Sequence, residues 1–451
     1  MCNTKQAIIE YLTQMASQAP HPGRLEVKLS GIDPLIILKN NRLQTHTLYW
    51  HNRERDFEIA GIGIADQVSI DQSNKSWQTQ IQNKAKKWPN IKYFGALPFS
   101  SRSGKSTLWH EFRNPVFTLP ILEFYIENKT AYMAINQDKN NDMSKSIALA
   151  RHWIDQMHFK AKVTPDQRDL KCLSRVDTPN QKDWHNLIQN TQVSIQKSPL
   201  KKAVLSRQST FNFNQTLCPY TMLYKIRDVE PNTFLFGMSP SQETSFIGGT
   251  PERLFKLNGS TLETEALAGS IQRGPTKNLD NQLAEKLLRS QKNIDEHGFV
   301  ISRIQDVLGP LCKEIKEDTH PQIKKLAHIQ HLIYRFKATI KKNTHIQELL
   351  TQLHPTPAVA GTPTKEAIQH ILDNEPHDRG QYAGPIGWIG NNTAEFAVAI
   401  RSGLIQSNSI HLFSGAGIVA NSTPEEEWNE IETKISLFKQ LFTNPETVYK
   451  C

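Results

Sequence analysis

The sequence predicts an α+β protein with two subdomains, large antiparallel sheets and flanking helices around a central site. Strand-like and helix-like runs come in blocks, without the regular alternation of a parallel βαβ fold. The strand-like runs are short and separated by polar turns, and 451 residues suffice for a large core and two or three domains. In chain order, strands are expected at LIILK (35–39), HTLYW (46–50), FEIAGIGIA (57–65), KYFGALPF (92–99), FTLPILEFYIE (117–127) and TAYMAI (130–135). A helix follows from Met143 to Met157, and another from about Asp183 to Gln196 leads into the strand Ala203-Val204-Leu205. Strand-like segments then run to about residue 269, before a long helix from Asp280 to Leu308 and a helical region around 344–353. Strands return from Gly384 to Phe413, and a helix closes the chain. The pattern divides into an N-terminal subdomain of mixed strands and helices, 1–165, and a larger region, 166–451, that carries the motifs below.

The segment Ser414–Lys434, SGAGIVANSTPEEEWNEIETK, is the most informative. A Gly415-Ala416-Gly417 turn would expose backbone N–H groups where side chains would block a ligand. Thr423 can cap the following helix, Pro424 suits its first turn, and Glu426 stands where a capping box places its acid. Glu427, Glu430 and Lys434 fall at i, i+3 and i+7 on one face. Two carboxylates and an ammonium beside a glycine turn could hold a metal ion and an anionic ligand together. The plainer alternative is a solvated helix start whose acids favour the dipole.

A hydrophobic content of 38% with 22% charged residues is ordinary for a globular protein, and no apolar run approaches the roughly 18 residues a membrane span needs. The N-terminal segment has no signal-peptide core. Cys2, Cys172, Cys218, Cys312 and Cys451 are scattered, which argues against a disulfide framework or zinc site and favours a reducing cytoplasm. The formal charge of +9 invites nucleic acid, but the basic residues are dispersed and no nucleic-acid module appears.

Three look-alikes are set aside. Ser103-Gly104-Lys105-Ser106 ends like a phosphate loop, but Phe99 holds the position of the upstream glycine. Gly61-Ile62-Gly63 opens like a dinucleotide fingerprint, but Asp66 replaces its third glycine. His328 and His331, three residues apart, are read as surface histidines.

Four further segments carry chemistry-bearing side chains. Lys202 shares a strand face with Val204 and Ser206; Glu252 sits in the turn Thr250-Pro251-Glu252-Arg253 after Gly248-Gly249. Glu265-Ala-Leu-Ala-Gly269-Ser270 ends a strand in a small-residue corner, and Lys292 and Glu296 stand at i, i+4 beside His297. Each alone has a dull explanation: an edge lysine, a turn acid, a tight corner, a surface ion pair.

Together and in this order, the segments resemble the chorismate-utilising enzymes, most closely the isochorismate synthases of menaquinone and siderophore biosynthesis. The likeness runs from about Lys202 to Lys434 and includes His354-Pro-Thr-Pro-Ala-Val-Ala-Gly361, Asp378-Arg379-Gly380-Gln381-Tyr382-Ala383-Gly384 and Ala399-Ile400-Arg401. A looser match covers Phe117–Phe124 and WHNRERDFEIAGIG. The resemblance implies that Lys202 is the general base and Glu252 the general acid. It implies Glu296 and Glu430 as magnesium ligands, with Glu427 in the same acidic cluster. Arg401, Tyr382 and the backbone of Gly415, Ala416 and Gly417 would hold the enolpyruvyl carboxylate, and Gly269, His354 and Lys434 would line the site.

The implied reaction asks for these residue types. Moving a hydroxyl from C4 to C2 of chorismate needs a base for the attacking water and an acid for the departing hydroxide. Lys202 must then work as a free amine and Glu252 must keep its proton near neutral pH, opposed demands that mark an acid/base pair. Relatives that add ammonia carry glutamine where this chain has Lys202, and aminodeoxychorismate synthases carry a nucleophilic lysine where it has Ala268. The resemblance therefore implies water as nucleophile, no glutamine amidotransferase subunit, and a monomer. A salicylate synthase, which goes on to eliminate pyruvate, is the runner-up. A degenerate paralogue that binds an anion or nucleic acid is the non-enzymatic alternative.

Overall fold

The computed structural model describes residues 2–16, 23–41, 43–70, 76–88, 90–104, 106–138, 140, 142–159 and 170–442. Two antiparallel sheets dominate it, as expected of an α+β chain. The first is 12-stranded. Its order is Arg24–Leu29, Thr130–Asn136, Leu122–Glu127, Phe57–Ile62, Thr47–His51, Phe234–Ser239, Thr244–Thr250, Ser402–Gln406, Ser409–Ile418, Lys202–Phe213 and Gly361–Thr362, with Cys172–Thr178 also paired to Lys202–Phe213. The second is 10-stranded. It runs Cys312–Glu317, Ile329–Ile340, Thr261–Gln272, Arg253–Asn258, Thr393–Val398, Pro385–Ile389, Tyr93–Ala96, Val116–Leu119 and Asp66–Ser69, with Gln322–Lys325 on Ile329–Ile340.

Strands from both sides of residue 165 share both sheets. Thr47–His51 pairs with Phe234–Ser239, and Tyr93–Ala96 with Pro385–Ile389. Position 165 itself lies outside the described residues. Several consecutive strands change sheet with almost no intervening chain. Thr244–Thr250 passes through Pro251-Glu252 into Arg253–Asn258, and Thr393–Val398 passes through Ala399–Arg401 into Ser402–Gln406. Such corners turn the chain sharply between the layers, and Arg401 adopts φ 48°, a left-handed conformation rare outside glycine.

Aromatic side chains fill the space between layers. Trp109, fully buried, meets Phe112, Phe246 and Phe413 at ring distances of 6.0, 5.5 and 5.6 Å, contacts that add to area burial.

Most expected elements are present, with four differences. Leu35–Lys39 belongs to a helix, Pro34–Asn40, because Asp33 accepts the Ile36 N–H at 3.1 Å and proline suits the first turn. The helix expected over 280–308 is two, Lys277–Leu288 and Gln291–Leu311, separated where Ser290 becomes extended. Three strands fill 312–340, a stretch whose charged residues hide the alternation, and His331 lies on one of them. Finally, Gly415-Ala416-Gly417 is strand rather than turn, in register with Ser206, Leu205 and Val204.

The look-alike motifs have structural roles. The N–H groups of Gly104 and Ser106 donate to the Asp378 carboxylate at 2.8 and 3.0 Å, which anchors the segment leading to Tyr382. A Cβ on Gly61 would strike Pro120 and Leu48, and one on Gly63 would strike Trp153.

Candidate active site

A cavity of about 230 Å³ opens where the two sheets meet the helices Gln291–Leu311 and Pro424–Phe442. It has room for one small organic molecule. Val204, Gly415 and Gly417 come to it from the first sheet, and Gly269 and His331 from the second. Glu252 and Arg401 reach it from the two corners where the chain changes sheet, and the helices add Glu296, Glu427, Glu430 and Lys434.

Lys202 opens its strand with a side chain only 1% exposed, and its Nζ donates to Glu296 Oε1 at 2.6 Å. The partner of Glu296 is thus the distant Lys202; Lys292, one turn before it on the helix, lies nearest Glu427, at 3.7 Å. Gly417 makes room for the lysine, since a Cβ there would stand 2.7 Å from Lys202 Cε. Glu296 is held below its ordinary range: burial pushes its carboxyl up, but Lys202, Lys434 and Lys292 outweigh that.

Glu252 is the opposite case. Burial first, and the Glu265 charge second, push its carboxyl up to about 8, so it retains a proton at neutral pH. The Thr356 hydroxyl lies 3.3 Å from its Oε1. Lys202 is not itself among the lining residues, but its partner Glu296 is, and the buried, protonated Glu252 lines the same cavity.

The glycine strand keeps the property expected of a turn by another route. Beyond Phe413 the strand Ser402–Gln406 no longer pairs with it, so one edge is open. Lys434 Nζ donates to the Gly415 carbonyl at 2.8 Å, and Ser206, opposite Gly415, gives its N–H to Glu375 at 2.6 Å. Gly415 and, two residues on, Gly417 thus direct their backbone groups away from Lys202–Phe213. The buried Ala416 points its backbone the other way and does not line the cavity. Tyr382 stacks on Phe413 with centroids 5.4 Å apart, and a Cβ on Gly415 would lie 3.1 Å from its hydroxyl. Gly269 adopts φ 73°, where its missing side chain leaves space for Asn293.

Arg401 donates from Nη2 to His331 Nε2 at 3.0 Å. Burial, then Arg401 and Lys434, hold His331 well below its ordinary value, so the ring is neutral and can accept that bond. His331 is not a surface residue. His331 lies on the strand Ile329–Ile340, and His328 stands in the bend before it. His354 stands outside the cavity lining: its Nε2 lies 3.1 Å from the Phe99 carbonyl, and burial lowers its ring to about 4. The residue of that segment that reaches Glu252 is Thr356, two positions on, within the same recognisable HPTP run.

Glu427 and Glu430 both line the cavity. Glu430 pairs with Lys434 at 2.7 Å. Glu427, 2% exposed, is pushed up by burial and by Glu430, and its Oε1 has no hydrogen-bond partner. Among the described residues no three carboxylate, imidazole or thiol groups stand together as a ready metal cluster. The donors nevertheless suit a hard cation: all are carboxylate oxygens, and one, on the buried Glu427, accepts no hydrogen bond and has Lys292 at 3.7 Å.

Comparisons with known proteins give the family and the fold. The family described as chorismate binding enzyme matches residues 9–443. The isochorismate synthase MenF of Pasteurella multocida is 34% identical over 402 residues, 87% of each chain. That of Haemophilus influenzae is 28% identical over 443 residues, 97% of this chain and 95% of its own. Among solved structures, MenF, the menaquinone-specific isochorismate synthase from Escherichia coli, superposes with a TM-score of 0.85 at 27% identity, covering 98% of this chain and 99% of the other.

Proposed function

The chain belongs to the chorismate-binding enzymes, and we propose that it is an isochorismate synthase, an isomerase that reversibly converts chorismate to isochorismate. The observation that carries this reading is that the protonated Glu252 and Glu296, the carboxylate that accepts from Lys202 Nζ, line one small cavity. Water is a weak nucleophile and hydroxide a poor leaving group, so both ends of the exchange need proton transfer. Lys202, as the free amine, takes a proton from the water that attacks C2, and Glu296 stabilises the ammonium that results. Glu252 gives its proton to the hydroxyl leaving C4, which departs as water while the ring double bonds shift. The ammonium and carboxylate left behind drive the reverse reaction in the same positions.

Arg401, fixed by His331, offers a planar fork to a substrate carboxylate, and the open N–H groups of Gly415 and Gly417 face the same space. Tyr382 and Lys434 border it. Magnesium, when bound by Glu296, Glu430 and Glu427, would neutralise and fix a second carboxylate of the substrate. The names of the similar enzymes favour menaquinone supply as the pathway. Catalysis without an amidotransferase subunit, by a cytoplasmic monomer, completes the reading. No described helix is long and apolar enough to cross a membrane.

Purified protein with chorismate and magnesium should yield isochorismate, and Lys202→Ala should lower turnover at least about a thousandfold while retaining substrate binding. Stoichiometric salicylate and pyruvate would instead establish a salicylate synthase. An active Lys202→Ala variant would remove the lysine from its role.

A further inference from the structure

Adjoining the Glu252 turn, but outside the cavity lining, lies a charge cluster that the chemistry above does not use. Arg53, from the turn between Thr47–His51 and Phe57–Ile62, donates to the Pro251 carbonyl at 2.9 Å and grips both oxygens of Glu265 at 2.5 Å. Lys324 Nζ donates to the same carbonyl at 2.9 Å and stands 3.8 Å from Glu265. Glu265 also accepts the Arg253 N–H at 3.5 Å. The residues on either side of Glu252 are thus both tied to one cluster, whose central arginine comes from the N-terminal part of the chain.

We propose that Arg53 and Glu265 are a positioning pair for the hydration reaction, clamping the backbone around Glu252 and setting a fixed negative charge beside its carboxyl. The inference rests on the reading of Glu252 as the general acid. Glu252 faces Glu265 from the strand Thr261–Gln272, Lys324 from Gln322–Lys325, Lys202 from its own strand, Thr356, and the phenol of Tyr382. Arg53, Arg253 and Glu54 stand one step farther away, around Glu265. Two carboxyls so close hold one proton more readily than none. Burial alone would raise Glu265 as well, but Arg53, then Lys324 and Arg253, bring it down to about 2. Arg53 therefore decides which carboxyl keeps the proton, and leaves it on Glu252.

The test is the pH profile of kcat/KM for isochorismate formation by the full chain with chorismate and magnesium. Glu265→Gln preserves shape and removes the charge. Its alkaline limb should move about one pH unit lower, with kcat down about fivefold at pH 8, little change in KM, and recovery near pH 6. Lys324→Gln removes a cation that favours ionised Glu252, and its limb should move higher. Opposite displacements are not produced by a merely structural role. Loss that is uniform across pH, or limbs that stay in place, would overturn the pairing while leaving the active wild type as support for the site reading. A wild type that forms no isochorismate would instead sink that reading. If Glu265→Gln melts below the assay temperature, Lys324→Gln carries the test, since its side chain is 14% exposed against 3% for Glu265.

Discussion

At the scale of single residues, the site depends on what is missing as much as on what is present. Gly417→Ala would place a methyl 2.7 Å from Lys202 Cε and push the lysine off Glu296. The expected result is a loss of kcat of about a hundredfold or more with a melting temperature within a few degrees of wild type, measured by turnover and calorimetry. The pH dependence follows from Glu252. Its pKa is raised to about 8, so the acid is protonated below that value and ionised above it, and kcat/KM should fall as pH rises through about 8. A profile flat to pH 9.5 would remove Glu252 from the acid's role. These residues were legible in the sequence because the reaction restricts their type. Glu252, Lys202 and the glycines stand in short recognisable runs. His331 was read as a surface histidine and Thr356 was not singled out, since a neutral histidine beside an arginine and a threonine behind an acid leave no spacing signature.

At the scale of elements, local chemistry decided where periodicity was ambiguous. The apolar run Leu35–Leu38 suits a strand or a buried helix equally, and the preceding Asp33-Pro34 settles it as a helix. Asp33 also pairs with Arg227 at 2.8 Å. Asp33→Ala should therefore cost about 1 to 2 kcal/mol of stability in denaturant titration, and leave the kcat of the folded enzyme unchanged. A lowered kcat would show that this helix reaches the site. The break between Lys277–Leu288 and Gln291–Leu311 escaped sequence reading because Arg289-Ser290 contains neither proline nor glycine. The strands over 312–340 escaped because KEIKE and QIKK carry charge at most positions. The glycine segment read as a turn is strand because its partner, Lys202–Phe213, is more than two hundred residues away and invisible to local pattern.

At the scale of the whole molecule, the α+β class could be read from the blocks of strands, but the interleaving could not. Nothing local says that Thr47–His51 pairs with Phe234–Ser239 or Tyr93–Ala96 with Pro385–Ile389. Residues 170–442 expressed alone would leave both sheets with unpaired edges and without Arg53, so the fragment should be insoluble or lack cooperative unfolding. A soluble fragment with a sharp thermal transition would contradict this. The corners where the chain changes sheet have a mechanical consequence. Glu252 and Arg401 sit on spans bolted at each end to a different layer, and Lys202 lies within the first layer. The carboxylates facing the proposed cation ride instead on two helices laid against those layers. Any breathing of the molecule would therefore loosen the grip on the cation first, while the gap across which the protons travel stays set like the jaws of a fixed gauge.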